Sequence, residues 1–100
     1  MDGVDAAVVE INEKSINVIS KYNEPYDDEL KQELLFIRDN KKSINLDDFA
    51  RLDHKVGKFF GAAALSAIKK SKIKSSQIQA IGSHGQTIRH QPRGKHPFSL

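Results

Sequence analysis

The chain contains no cysteine. That excludes a disulfide framework and any thiolate-bound metal, and it fits a reducing compartment such as the cytoplasm. No apolar run approaches the roughly 20 residues needed to cross a bilayer. The start, Met1-Asp2-Gly3-Val4-Asp5, is acidic and lacks the basic-then-apolar order of a secretory signal. Charge of one sign is also scarce: 16 Lys and Arg stand against 13 Asp and Glu, a net +3. Much of the excess sits at segment ends, in Lys69, Lys70, Lys72 and Lys74 and in Arg89, Arg93 and Lys95. No basic strand face is interleaved with aromatics, so neither nucleic acid nor a membrane is expected as a partner. Internal repeats and low-complexity segments are missing as well.

The 100 residues are 38% hydrophobic and 29% charged, which suits one small soluble domain with a modest core. Asp5 to Ile11 reads as a strand through Ala6, Val8 and Val9. Asn12-Glu13-Lys14 joins it to a second strand, Ser15 to Ser20, carrying Ile16, Val18 and Ile19, which predicts an antiparallel hairpin. Lys21 to Tyr26 holds Pro25 and is expected to leave the sheet.

Asp27 is a helix cap, with Asp28 and Glu29 suited to the first turn. Leu30, Leu34 and Ile37 then fall on one face of a helix ending near Asp39, widened by Leu35 and Phe36. After a loop, Asn40-Lys41-Lys42-Ser43, Asn45 caps the longest helix, with Asp48 in a capping-box-like position. Its stripe is Phe49, Leu52, Val56, Phe59, Ala63 and Ala67, broadened by Phe60, Ala64 and Ile68. Gly57 and Gly61 would admit close approach of another element. His54 sits on the polar side, and Lys69 to Lys74 reads as a solvated helix end. A strand over Gln77 to Gly82 would be reached by helical crossover. Gln91 to Pro97 reads as a loop, and Phe98-Ser99-Leu100 opens a further strand. The predicted class is α/β: a mixed sheet with a β-hairpin, two helices and a crossover strand.

The stretch Ile78 to His90 changes character at Gly82, from an apolar run to the polar turn Gly82-Ser83-His84-Gly85-Gln86-Thr87. Glycines that let the backbone approach a ligand or take φ > 0, set among neutral hydrogen-bonding groups, suit hydroxyl-rich ligands. A plain β-turn facing water is the other reading of the same residues. His84, His90 and His96 recur every six residues. Zinc sites favour tighter pairs, about three to five residues apart, so a metal site is a weaker alternative.

Gly82-Ser83-His84-Gly85-Gln86-Thr87-Ile88-Arg89-His90 resembles the corresponding motif of the anhydro-N-acetylmuramic acid kinase family, within the superfamily of actin, sugar kinases and heat-shock chaperone ATPases. Met1-Asp2-Gly3-Val4-Asp5 is similar to the end of that family's phosphate loop, Gly-Thr-Ser-x-Asp-Gly-x-Asp, with Met1 at the variable position. Tyr22 to Leu35, including Pro25-Tyr26, also resembles the family. So do Leu52-Asp53 with the Gly- and Ala-rich helix that follows, and the tail Pro97-Phe98-Ser99-Leu100.

The resemblance implies a partial actin-like, sugar-kinase (ribonuclease H-like) domain over residues 1–100, the N-terminal piece of a kinase, with a first strand, the Gly-Thr-Ser half-loop and the C-terminal domain absent. It implies a cytoplasmic enzyme using ATP and Mg²⁺ to convert 1,6-anhydro-N-acetylmuramic acid and water to N-acetylmuramic acid 6-phosphate in cell-wall recycling. Asp2, Gly3, Val4 and Asp5 would lie at the ATP phosphates, Asp2 and Asp5 at Mg²⁺. His84, Gln86, Thr87 and Arg89 would bind the sugar, Arg89 at its lactyl carboxylate. No catalytic residue is expected here, since the base aspartate would lie downstream, and full-length members are expected to be homodimers. The alternative is a non-catalytic remnant or one half of a split kinase, with unpaired sheet edges and marginal stability.

Overall fold

A computed structural model describes residues 2–40 and 43–100. Met1, and Lys41 and Lys42 of the predicted loop, lie outside the described residues. The chain runs β1 (Gly3–Ile11), β2 (Ile16–Pro25), α1 (Asp28–Asp39), α2 (Leu46–Ser71), a 3₁₀ turn (Ser75–Gln77), β3 (His90–Gln91) and β4 (Phe98–Ser99). Among the described residues it is an α/β arrangement of two antiparallel two-stranded sheets and two helices.

The hairpin forms as expected. The Asn12 side chain accepts from the backbone N–H groups of Lys14 and Ser15 at 2.9 and 3.0 Å, and so closes the turn. A bulge between Val8 and Val9 shifts the register, so that Val8 faces Ser20 and Val9 faces Val18. Before the bulge Val4 and Val8 are buried, on the face that packs on α2. Beyond it Val9, Ile11, Ile16 and Val18 are exposed. The radius of gyration is 16.4 Å. A compact domain of this length would have about 13 Å, so the molecule is drawn out.

β2 does not stop at Ser20. It continues to Pro25, which lies opposite Gly3. A proline at the last position of an edge strand gives up no ladder hydrogen bond that the sheet needs, so Pro25 ends the strand without expelling Lys21 to Glu24.

Both helix caps are where the sequence puts them. Asp27 accepts from the Leu30 N–H at 2.7 Å and Asn45 from the Asp47 N–H at 2.8 Å. Asp48 instead accepts from Arg51 at 2.8 Å. Leu30, Leu34 and Ile37 of α1 meet Leu52 and Ala63 of α2 in one core with Val4, Tyr26 and Ile88. Phe36 does not widen this face and is 68% exposed. Gly57 and Gly61 admit no close neighbour, for a Cβ at either would meet nothing within 4 Å. α2 is closed by Lys72 in the left-handed conformation, φ 60°, and Lys70 reaches back to the Lys21 carbonyl at 2.7 Å.

The predicted strand over Gln77 to Gly82 is absent, and with it the crossover and the mixed sheet. Residues 78–89 adopt neither helix nor strand. Ile78 has strand-like angles, φ −79° and ψ 118°, yet among the described residues no strand lies beside it to complete a ladder. Apolar, β-branched composition supplies an extended backbone; a strand also needs a partner. Phe98 and Ser99 do form a strand, paired with His90 and Gln91.

Candidate functional site

The polar motif folds against the α1–α2 layer. Ile88 anchors it, buried among the core residues. The Ile88 and Arg89 N–H groups both donate to the Leu100 carbonyl, at 2.7 and 3.1 Å. Gly85 takes φ +70°, where any side chain would be strained, whereas Gly82 needs neither positive φ nor a close neighbour. This single left-handed turn swings His84 and Gln86 toward α2.

A cavity of about 360 Å³ opens there. Its floor is apolar, with Leu34, Leu52, Val56 and Ile88, and its rim is polar, with Ser83, His84, Gln86 and Asp53. Phe49 and Phe60 stand at its sides. The Phe60 and His84 rings meet edge to face, 6.4 Å between centroids at 84°. An apolar pocket with a few convergent hydrogen-bonding groups is the usual form of a small-molecule site. Gln86 accepts from the Tyr26 hydroxyl at 3.0 Å and donates through Nε2 to the Thr87 carbonyl at 3.0 Å.

Of the predicted sugar-binding residues, His84 and Gln86 line this cavity; Thr87 and Arg89 do not. Thr87 is exposed. The Arg89 guanidinium donates to the Asn40 carbonyl at 2.6 Å, at the C-terminus of α1. Asp53 and Phe60 are the residues that sequence reasoning missed as site residues. Phe49, Asp53 and Phe60, four and seven residues apart, share one helical face. That spacing was the available signal.

The predicted phosphate end is built differently. A Cβ on Gly3 would sit 2.3 Å from the Glu24 carbonyl oxygen, so this glycine is required by the hairpin itself. Val4 points into the core. Asp5 accepts from Asn23 across the ladder at 2.8 Å, on the strand face opposite Val4. Asp2 pairs with Lys31 at 3.3 Å. The two carboxylates therefore each hold a different partner and do not converge. Among the described residues no group of three or more His, Cys, Asp or Glu could hold a metal ion. Asp2 and Asp5, each held by a different partner, do not by themselves make a Mg²⁺ site. His84, His90 and His96 form no such group either. No helix of the described residues is long and apolar enough to cross a membrane.

The α/β framework thus presents a glycine-bracketed polar loop over an apolar-floored cavity, the usual form of a small-molecule site. The sequence profile of the anhydro-N-acetylmuramic acid kinases matches residues 1–100, and the chain belongs to this family. It is 41% identical to the anhydro-N-acetylmuramic acid kinase of Coxiella burnetii (strain Dugway 5J108-111) over 100 residues, all of this chain and 26% of that protein. It is 38% identical to that of Vibrio vulnificus (strain CMCP6) over 99 residues, 99% of this chain and 26% of that protein. Identity to that of Aliivibrio fischeri (strain ATCC 700601 / ES114) is 40% over 100 residues, all of this chain and 27% of that protein. The chain thus spans about a quarter of the length of these curated relatives.

Proposed function

We propose that the chain carries the sugar-recognition loop of an ATP-dependent kinase acting on 1,6-anhydro-N-acetylmuramic acid. Residues 1–100 are then the N-terminal part of an actin-like, ribonuclease H-like ATPase domain in the cytoplasm. One observation carries the reading: in a chain that matches this family throughout, Ser83, His84 and Gln86 converge with Asp53 and Phe60 on one cavity. Neutral donors and acceptors, a carboxylate and an aromatic wall are the groups that recognise a ring bearing hydroxyls on an apolar frame.

In the proposed reaction water adds to the anomeric carbon, the bridge from that carbon to O6 opens, and O6 takes the γ-phosphoryl group of ATP. N-acetylmuramic acid 6-phosphate and ADP leave. Such a transfer depends on positioning and on stabilising charge more than on covalent chemistry by the protein. His84 and Gln86 hold the sugar, and Thr87 adds a hydroxyl at the loop's exposed edge. Arg89, which lies outside the cavity and donates to the Asn40 carbonyl, would have to turn from that contact to meet the lactyl carboxylate. Asp2 to Asp5 contribute backbone N–H groups toward the phosphates of ATP.

Titrating the ¹⁵N-labelled chain with 1,6-anhydro-N-acetylmuramic acid tests the reading. Resonances of Ser83 to Gln86, Asp53 and Phe60 are expected to shift together in a saturable manner. Sugar titration that leaves those signals unmoved sinks it.

A second reading has the chain act only with a complementary polypeptide, as one half of a split kinase. The exposed Val9, Ile11, Ile16 and Val18 of the hairpin favour it, since solvent-facing apolar strands are surfaces that a partner would cover. Turnover of ATP and sugar with Mg²⁺, only after a chain supplying the remainder of a relative's sequence is added, distinguishes this reading from a lone enzyme.

A further inference from the structure

We infer that Tyr26 is a positioning residue for the sugar loop: its hydroxyl proton fixes the Gln86 amide so that the amide nitrogen is the group offered to a ligand hydroxyl in the cavity. The ligand's identity rests on the proposed sugar site; the orientation of the amide does not.

The direction of each hydrogen bond follows from elementary chemistry. The Thr87 carbonyl oxygen can only accept, so the Gln86 atom 3.0 Å from it is nitrogen. The other amide atom, facing Tyr26, is therefore oxygen, which also only accepts. The phenol must then be the donor in the 3.0 Å contact. Gln86 Oε1 is thereby engaged, and Nε2 retains a second N–H. In a loop without helix or strand, a glutamine side chain would otherwise sample several rotamers and both amide orientations.

Tyr26 is equipped to impose this order. It is buried, 6% exposed, and its ring lies against Phe59 of α2. Its backbone N–H donates to the Asp2 carbonyl at 3.0 Å. One residue thus ties the entry to β1, the start of α1, the middle of α2 and the polar loop together. Burial also raises the phenol above its ordinary pKa of 10.0, so the donated proton is present throughout the neutral range.

Three proteins test the inference: the chain itself, Tyr26→Phe and Gln86→Glu. In the parent chain the two Gln86 side-chain N–H signals should be well separated and slow to interconvert. Tyr26→Phe keeps the ring and removes the proton, so those signals should collapse toward the values of an exposed glutamine. The affinity for 1,6-anhydro-N-acetylmuramic acid should fall about fivefold, the worth of one neutral hydrogen bond. Gln86→Glu leaves an acceptor in place of Oε1, now charged, so the Tyr26 phenol should titrate at higher pH than in the parent. A carboxylate beside the phenol raises its titration whichever group donates in the parent, so this variant reports that the two side chains touch, while the direction of the bond follows from the Thr87 carbonyl. Gln86 signals unchanged in Tyr26→Phe, or a Tyr26 titration unmoved in Gln86→Glu, overturn the inference whether or not sugar binds. Parent protein that binds no sugar, with the amide ordered as described, overturns the ligand assignment and the proposed function but leaves the positioning role standing.

Discussion

The rings of Tyr26 and Phe59 lie 5.0 Å apart between centroids, tilted by 49°. Tyr26 follows β2 directly, and Phe59 stands mid-way along α2. The contact therefore fixes how the hairpin's exit sits on the long helix. Phe59→Ala removes the ring that Tyr26 leans on. Because Phe59 is half-buried rather than fully enclosed, the expected loss is about 2–3 kcal/mol, at or below the low end for truncating a core phenylalanine. Denaturant unfolding should show a lower midpoint with an unchanged slope; a midpoint equal to the parent's would mean the contact contributes nothing.

Gly3 and Gly61 make a matched pair. A methyl group at Gly3 would press on the Glu24 carbonyl and the Pro25 Cα, 2.3 and 2.8 Å away, both backbone. Neither can swing aside, so Gly3→Ala should cost about 1–3 kcal/mol and loosen amide protection where β1 meets the end of β2. At Gly61 there is nothing within 4 Å, so Gly61→Ala should stabilise α2 by up to about 1 kcal/mol through helix propensity alone. Opposite signs for two Gly→Ala changes is the outcome to look for in thermal melts.

The helices were legible in the sequence because each local signal agrees with the next. Asp27 and Asn45 cap, and Leu30, Leu34, Ile37, Leu52 and Ala63 recur at helical spacing and are buried together. The strand over Gln77 to Gly82 was not legible, since its formation depends on a neighbouring strand and not on Ile78 and Ile81. Pro25 misled in the other direction: its residue type says "leave the sheet", while its place at the end of an edge strand permits it to stay. Within the site, Gly85, His84 and Gln86 announced themselves by composition. Asp53 did not, because a helix shows which residues share a face but not which neighbour will hollow out a cavity beside them.

Alkaline pH should weaken the fold. Burial raises the Tyr26 pKa above 10.0, and the bond to the Glu24 carboxylate is the main cause raising that of Tyr22. A phenol whose folded pKa is raised holds its proton longer in the folded state than in the unfolded one. The stability it contributes is therefore complete below about pH 10 and is lost as pH rises through the higher folded value. Tyr26→Phe should flatten this decline, and ultraviolet titration should lose the component tied to burial. Tyr22→Phe should remove the component tied to Glu24. A stability profile that is flat through this range would contradict both assignments.

Among the described residues that line the cavity, Asp53 alone has a carboxylate side chain, and it lies at the exposed rim. It can accept from two sugar hydroxyls without first giving up a place in the core. Asp53→Asn keeps the size and removes the charge. A hydrogen bond to a charged acceptor is worth about 1.5–3 kcal/mol, so sugar affinity should fall by about tenfold or more. A change at an exposed position away from caps and core should leave stability within about 0.5 kcal/mol. Calorimetric titration beside a thermal melt separates the two effects. Weaker binding with an unmoved melt places the sugar in the cavity between α2 and the polar loop. Unaltered binding would move it elsewhere, because a hydroxyl-bearing ring in this cavity would lie within reach of the Asp53 carboxylate on its rim.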